Sequence, residues 1–386
     1  VRKMRGWYWY LGFKQLKHHI KQTMIGVGGI AASVVALMVI LSFSQGIEEF
    51  IVERILLLTP HLSVEAGYND FILEDWQNSL EEFPGVYGSS PYLLFPGVVQ
   101  RGLVNESVAF KAVDWDLEDQ LFDLQTLLDE GEWSKIRRGN GLVIGGELAL
   151  RLGADLDDNI TVITAYGARN LELMGIFYTG YYPLDSGLAL VSLGEGKDLL
   201  ETDGVSGYGL KIRNLSHVDQ YILPLQDLTG LWIRPWYDKE QSMFITMSIQ
   251  KVVLVWITVF SLLIGALGIM NIFLLRSWQQ SRSVGVLRTL GATPKQIGAL
   301  LLTQGVYCGI MGGTIGIILA RLVVFILGRI DIRLPQVFYL ERLPISWAQG
   351  DLWWVVLLAL ITGLGAVVWP ALRMTRIDVG EVLRND

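Results

Sequence analysis

Cysteine is almost absent from this chain. Its one copy, Cys308, excludes a disulfide framework and any multi-cysteine metal site. Histidine is nearly as scarce: His18, His19, His61 and His217 leave little room for a histidine-based metal cluster. Charge is the third shortage, at 18% of residues against 51% hydrophobic. It is missing altogether from three long runs, Met24 to Phe43, Val252 to Leu275 and Leu352 to Leu372. A fourth run, Ile297 to Leu327, contains only Arg321. An apolar stretch of about 20 residues crosses a bilayer core, so each run reads as a membrane span. A cytosolic globular enzyme is thereby excluded.

Known chemical signatures are also missing. Gly194-Glu-Gly196-Lys197 lacks the upstream glycine of a phosphate-binding loop. Asp155-Leu-Asp157-Asp158-Asn159 resembles the start of a calcium loop, but Ile160 and Tyr166 stand where Gly and Glu are required, so a solvated turn is expected. The acidic residues have no accompanying base or nucleophile pattern, and we expect no catalytic residue, no metal and no nucleic-acid partner. The first apolar run exceeds a signal-peptide core, and Ser42-Phe43-Ser44-Gln45 offers no small-x-small cleavage site. It is read as an uncleaved span.

The charges that are present set an orientation. Residues 1–23 carry Arg2, Lys3, Arg5, Lys14, Lys17 and Lys21 without an acid, and the loop 276–296 carries Arg276, Arg282, Arg288 and Lys295 without one. Residues 45–250 instead hold 32 acidic and 13 basic residues, in a chain whose net charge is −7. Basic loops stay inside, so both termini and the 276–296 loop are expected to be cytoplasmic and the acidic segment outside. Trp353 and Trp354 lie about 24 Å along a helix from Trp369 and can mark two interfaces. The segment Trp7 to Ile20 mixes aromatics with lysines and reads as an interfacial helix, with a cytoplasmic extension of the first span as the alternative.

The expected organisation is therefore an interfacial helix at 1–23, spans at 24–44, 251–275, 297–328 and 351–373, an external domain at 45–250, a cytoplasmic loop at 276–296, an external loop at 329–350 and a tail at 374–386. Ile47, Phe50, Ile51, Ile55 and Leu56 continue the first helix outward. Strand-like runs follow at His61–Glu65, Val86–Val99, Val108–Val113, Ile160–Ala165, Leu171–Phe177 and Leu188–Val191. Helical patterns fit Glu74–Glu82, Leu117–Leu128, Gly146–Leu152 and Gly194–Leu200, and a helix returns to the membrane near Asp238. The third span carries Gly305, Gly309 and Gly313 with Gly312 and Gly316 beside them, and the first carries Gly28, Ala32 and Ala36. Small residues on one stripe let helix backbones approach, either within the chain or against another subunit.

The 276–296 loop is the most informative segment. Val284 and Leu287, and Val286 and Leu290, recur at helical spacing beside Arg282 and Arg288, and Gly291 provides a stop. Thr293-Pro294-Lys295-Gln296 then starts a new helix with a cap, a proline at its first position and a capping-box glutamine. Ser283-Val-Gly-Val-Leu-Arg-Thr-Leu-Gly-Ala-Thr-Pro-Lys-Gln-Ile297 resembles the loop of the FtsX/MacB-type permeases of ABC transporters. So does Trp369-Pro-Ala-Leu-Arg373 followed by Arg376-Ile-Asp-Val-Gly-Glu-Val-Leu-Arg384. The segments Gly29–Ser42, Leu58–Val64, Gly175–Ser186 and Val337–Pro344 are similar to the LolC/LolE lipoprotein-releasing permeases, in order along nearly the whole chain.

The resemblance implies a polytopic α-helical membrane protein of four transmembrane helices with a large α+β extracytoplasmic, MacB-like domain between helices 1 and 2. It implies a pair of permease subunits, identical or different, working with an ABC ATPase dimer. ATP and Mg would bind that ATPase, with no cofactor in this chain. Arg282, Ser283, Val284, Val286, Leu287, Arg288, Leu290 and Gly291 would form the helix that couples to it. The substrate would be a lipoprotein drawn from membrane lipid and passed to a periplasmic carrier, with Val39, Phe43, Val253, Ile257 and Phe260 as candidates to line its cavity. Two departures stand out. Ser283 replaces an acid that is usual in the family, and only Ala165–Asn170 separates two strand-like runs where carrier-recruiting subunits have a longer arm. The alternatives are a MacB-like exporter of drugs or peptides, and an FtsX-like mechanotransmitter that activates a cell-wall hydrolase. The latter's external domains are generally smaller than residues 45–250.

Overall fold

The structure, a computed structural model, describes residues 7–67, 71–239, 241–279, 281–330, 343–347 and 352–375. Arg2, Lys3, Arg5, most of the Val337–Pro344 motif and the Arg376–Arg384 motif lie outside them. The chain divides into two units, one made of residues 7–48, 247–330 and the described residues beyond 342, the other of residues 49–246.

Helix α1 (Trp7–His18) is separated at His19 from α2 (Ile20–Ile55), so the aromatic–lysine segment is a helix in its own right. The second unit follows in chain order: β1 (Leu62–Glu65), α3 (Gln77–Glu81), β2 (Val86–Arg101), β3 (Val104–Val113), α4 (Trp115–Phe122), α5 (Leu124–Leu127) and β4 (Leu128–Gly131). Next come α6 (Trp133–Arg138), β5 (Leu142–Gly145), α7 (Gly146–Leu152), β6 (Asn159–Thr164), β7 (Gly167–Phe177), α8 (Tyr182–Gly187), β8 (Leu188–Ser192) and α9 (Leu193–Leu200). It ends with β9 (Gly207–Ile212), α10 (Asp219–Thr229), β10 (Trp232–Pro235) and α11 (Trp236–Lys239).

The ten strands run in the order β10-β1-β9-β2-β3-β8-β5-β7-β4, and β6 pairs with both β2 and β7. Strands β2, β3, β8, β5, β7 and β6 therefore close into a ring. Alternate residues of all six point inward, among them Leu93, Phe110, Ile144, Ile160, Leu173 and Val191, all buried in one core. Phe95 and Phe110 stack at 5.3 Å within it, and Leu148 of α7 and Leu199 of α9 complete it. The ring is filled by its own side chains, as a small barrel must be.

One expectation fails here and another is sharpened. Leu117–Leu128 is not one helix. Asp123 adopts a left-handed φ of 51° and ends α4, and Leu128 opens a strand. The connection expected over Ala165–Asn170 is shorter still: Thr164 pairs with Gly167 and Thr161 with Asn170, leaving a two-residue turn. The acidic turn is engaged by cations, Asp157 by Lys135 at 2.6 Å and Asp158 by Arg101 at 2.8 Å.

The first unit adds α12 (Gln241–Gln279, from Met247 onward), α13 (Ser281–Thr289), α14 (Pro294–Leu327) and α15 (Leu352–Thr375). With α2, the helices α12, α14 and α15 are the four among the described residues that are long and apolar enough to cross a membrane. Their packing answers the glycine question. A side chain on Gly305 would meet the Gly363 carbonyl at 2.7 Å, and one on Gly309 the Ala359 carbonyl at 3.0 Å, so α14 and α15 touch backbone to backbone. Gly312 and Gly316 turn instead toward Ile30 and Val34 of α2. The third-span stripe is therefore consumed inside the chain. The first-span trio is not: Gly28, Ala32 and Ala36 remain exposed.

Helix α1 docks on α14. Gln304, wholly buried, donates from Nε2 to Gln15 Oε1 at 2.7 Å, and the Thr303 hydroxyl contacts the Tyr8 carbonyl at 3.3 Å. Trp9 and Phe13 both pack on the Tyr307 ring, at 5.7 and 5.6 Å.

Candidate functional site

Helix α13 is two turns long and ends at Thr289. Beyond it the Leu290 N–H donates to the Val286 carbonyl at 3.1 Å and the Ala292 N–H to Leu287 at 3.0 Å, while Gly291 takes a φ of 94°. Only glycine reaches that conformation without strain, so the stop is sharp. Three residues later α14 begins, and the Thr293 N–H donates to Gln296 Oε1 at 2.8 Å.

The residues expected on this helix separate by face. Val284 is buried in the core of the first unit, and Gly285 is buried with it. Leu287 and Arg288 are half-buried. Val286 and Leu290, 49% and 78% exposed, present the free apolar surface, with the exposed Gly291 next to them. Val284 therefore anchors the helix and cannot itself meet a partner. Arg282 and Ser283 belong to α13 by backbone, and their side chains lie outside the described set.

A second feature is an apolar groove of about 880 Å³ between α2 and α12, both segments lying within the first unit. Ile25, Gly29 and Ala32 line one side, and Ile257, Phe260 and Ile264 the other. Ser33 is its main polar group; its hydroxyl contacts the Gly29 carbonyl at 3.1 Å and lies 3.5 Å from the Ser261 carbonyl. Two of the five expected cavity residues, Ile257 and Phe260, are brought together there. Val39, Phe43 and Val253 do not line it: Val39 is half-buried, and Phe43 and Val253 are exposed elsewhere on the same helices. The groove uses the first half of the α2 apolar run, whereas Val39 and Phe43 stand in its second half, and on α12 it begins at Ile257, one turn past Val253. Of the small residues Gly28, Ala32 and Ala36, expected as a packing stripe, Ala32 lines the groove, and no periodicity told that Gly265 would sit against Ser33. Nearer the start of α12, Lys251 and Glu48 pair at 2.6 Å.

In the second unit the perturbed groups are structural. His61 is held below the ordinary imidazole range by burial and then by the Lys211 charge. Burial likewise lowers the Lys211 ammonium. Lys111 and Glu118 form a buried pair at 2.5 Å. Among the described residues no group of three or more His, Cys, Asp or Glu side chains could hold a metal.

A short helix joined by a sharp stop to one of four long apolar helices, in a chain that also carries a separate strand-rich unit, is the outline of a transporter permease. Two family descriptions match the chain, the MacB-like periplasmic core domain over residues 23–221 and the FtsX-like permease C-terminal region over residues 255–379. The chain belongs to the FtsX/MacB-type permease superfamily of ABC transporters.

Over 94% of its length it is similar to the lipoprotein-releasing system transmembrane protein LolC of Neisseria meningitidis serogroup B, with 24% identity and 94% of that chain covered. It is 26% identical to LolE of Haemophilus influenzae over 92% of both chains. It is also 21% identical to the macrolide export ATP-binding/permease protein MacB of Wolinella succinogenes, over 97% of this chain and 60% of that one.

Proposed function

We propose that the chain is the transmembrane permease subunit of an ABC transporter that extracts lipoproteins, or similarly acylated lipid-like substrates, from the outer leaflet of a bacterial inner membrane. The observation that carries this reading is the apolar α2/α12 groove in a chain that matches lipoprotein-releasing relatives nearly end to end. The four long helices span the membrane, the acidic 45–250 segment lies outside, and the basic N-terminal segment and 276–296 loop lie inside, as the charge pattern supports, with the C-terminus returned to the same side by the fourth span. A separate ATPase dimer supplies the energy, and a second permease subunit completes the cavity.

An acyl chain of about 15 methylenes would cost on the order of 12 kcal/mol to expose to water, so its path must stay apolar until it is handed on. The exposed Phe43 and Val253, with Ile257 and Phe260 below them, provide such a path into the groove. The two-residue β6–β7 turn carries no projecting arm. It supports the role of the subunit that does not recruit the carrier. The MacB relative favours a second reading, an exporter of small molecules or peptides.

The ATPase-docking part is tested with Val286→Asp/Leu290→Asp. The double variant should lose co-purification of the ATPase while the chain keeps its thermal transition, because both side chains face outward. Retention of the ATPase by a correctly folded double variant would remove α13 as the docking helix.

A further inference from the structure

The Gly175–Ser186 motif was singled out only by resemblance, and the fold gives it a place. After β7 the chain makes a tight loop, Tyr178 to Tyr181, and enters α8. Asp185, fully buried, shapes it. Its Oδ1 accepts the Thr179 N–H at 2.8 Å and the Thr179 hydroxyl at 2.6 Å, and its Oδ2 accepts the Gly180 N–H at 3.0 Å. Gly180 has a φ of 74°, and a side chain on Gly145 would collide with the Asp185 backbone at 2.2 Å, so loop and ring are pressed together.

Folded in this way, the loop faces two helix ends. Its Thr179 carbonyl accepts a hydrogen bond from Arg54 Nη1 at 3.1 Å, and Arg54 lies in the last turn of α2 with its guanidinium 5.2 Å over Phe50. The Tyr181 hydroxyl donates to Met243 Sδ at 3.4 Å, in the first turn of α12. All of these residues belong to the second unit. We propose that the Tyr178–Asp185 loop is a positioning device: Asp185 folds it, and the folded loop holds the end of α2 through Arg54 and the start of α12 through Tyr181, fixing their spacing.

Each of the two helices runs from one unit into the other, α2 at Glu48–Glu49 and α12 at Thr246–Met247. A loop that clasps both makes them move as a pair, so displacement of either is passed to the ring rather than absorbed in a slack joint. This deepens the permease reading and rests on it for the motion to be transmitted. The test reads the geometry of the second unit directly, so it can fail while the permease reading stands, and the reverse.

The experiment uses the full chain in lipid nanodiscs, with Cys308→Ala and nitroxide labels at Glu53→Cys and Gln241→Cys, two exposed sites beside the clasp. Pulsed electron spin resonance measures the distance distribution between the labels. The parent should give one narrow distribution. Arg54→Leu and Asp185→Ala should each widen it about twofold or more, as expected when a local tie is released. Arg54→Lys, which keeps a cationic donor, should preserve it. Ile136→Ala, a core truncation elsewhere in the same unit, should lower thermal stability without widening it. Unchanged widths in Arg54→Leu would overturn the proposal, even if Asp185→Ala fails to fold. Equal widening in Ile136→Ala would overturn it too, since general loosening would then explain the effect.

Discussion

The Lys111–Glu118 pair offers the sharpest energetic test of the strand-rich unit. Lys111 projects from β3 with its ammonium 2.5 Å from Glu118 Oε1 on α4 and 3.2 Å from the Leu58 carbonyl, just past the end of α2. Its side chain is 10% exposed and that of Glu118 is 2% exposed. The Phe122 ring lies 4.9 Å from Lys111 Nζ and 4.6 Å from Lys211 Nζ. Removing one member of a buried pair strands the other charge and costs about 3–5 kcal/mol, whereas replacing both by apolar residues of similar size is often close to neutral. Lys211, which senses the Glu118 charge, partly compensates when Lys111 is lost. Lys111→Met should therefore fall at the low end, and Glu118→Leu, which leaves Lys111 against Phe122 and one carbonyl, at the high end. For a unit of this size 1 kcal/mol moves a melting midpoint by about 2–4 °C, so each single variant should melt about 6–20 °C lower. The double variant Lys111→Met/Glu118→Leu should recover most of that loss. The assay is thermal unfolding of the full chain in one detergent, followed by tryptophan fluorescence, with Trp115 in the adjoining core as the local reporter. Additive losses in the double variant would refute the assignment of these two residues as a mutually dependent buried pair.

Two further outcomes follow from groups already placed. The folded-state pKa of His61 lies below its unfolded value of 6.5, so its contribution is complete above that pH and is lost as pH falls from about 6.5 toward the folded value. Asp185, raised chiefly by burial, works in the opposite sense over a more acidic window, its contribution growing as pH falls. Thermal midpoints should therefore drop less between pH 7 and pH 5.5 in His61→Gln than in the parent, and an identical slope in the two proteins would show that His61 does not titrate in this way. In the groove, Phe260→Gln should reduce retention of acylated cargo several-fold, while Val39→Gln, outside the lining, should change it little; equal losses would move the lipid path away from α2 and α12.

The membrane helices were legible because nothing else explains runs of that length without charge, and the cap at Thr293 and stop at Gly291 were legible because each needs a particular residue type. Five of the six ring strands were visible as strand-like runs, and β5 was not. Strand β5 is a four-residue apolar run with every residue buried, so it shows no alternation. Outside the ring, strand β9 was also missed: it contains Gly207 and Gly209, poor strand formers that are required because a side chain at 207 would strike the Val64 carbonyl at 2.4 Å. On α13, helical spacing identified the apolar positions, but which of them faced inward depended on Val284 meeting the core of the first unit. The groove eluded the sequence for a related reason. Along α12 from Val252 to Leu275 only Thr258, Ser261 and Asn271 are polar, so periodicity cannot separate the Ile257–Phe260 face from the faces toward lipid or neighbouring helices. Lys111, Glu118 and Asp185 were anonymous charges in an acidic segment until the strands brought partners to them.

The most direct measurement is mass spectrometry of the complex gently purified from its native membrane. An ATPase, a second permease subunit and a bound acylated protein are the expected companions, with the acylated protein lost from Phe260→Gln. An ATPase accompanied by an adaptor or a cell-wall hydrolase, with no acylated protein at any stage, would contradict the lipoprotein-extracting role.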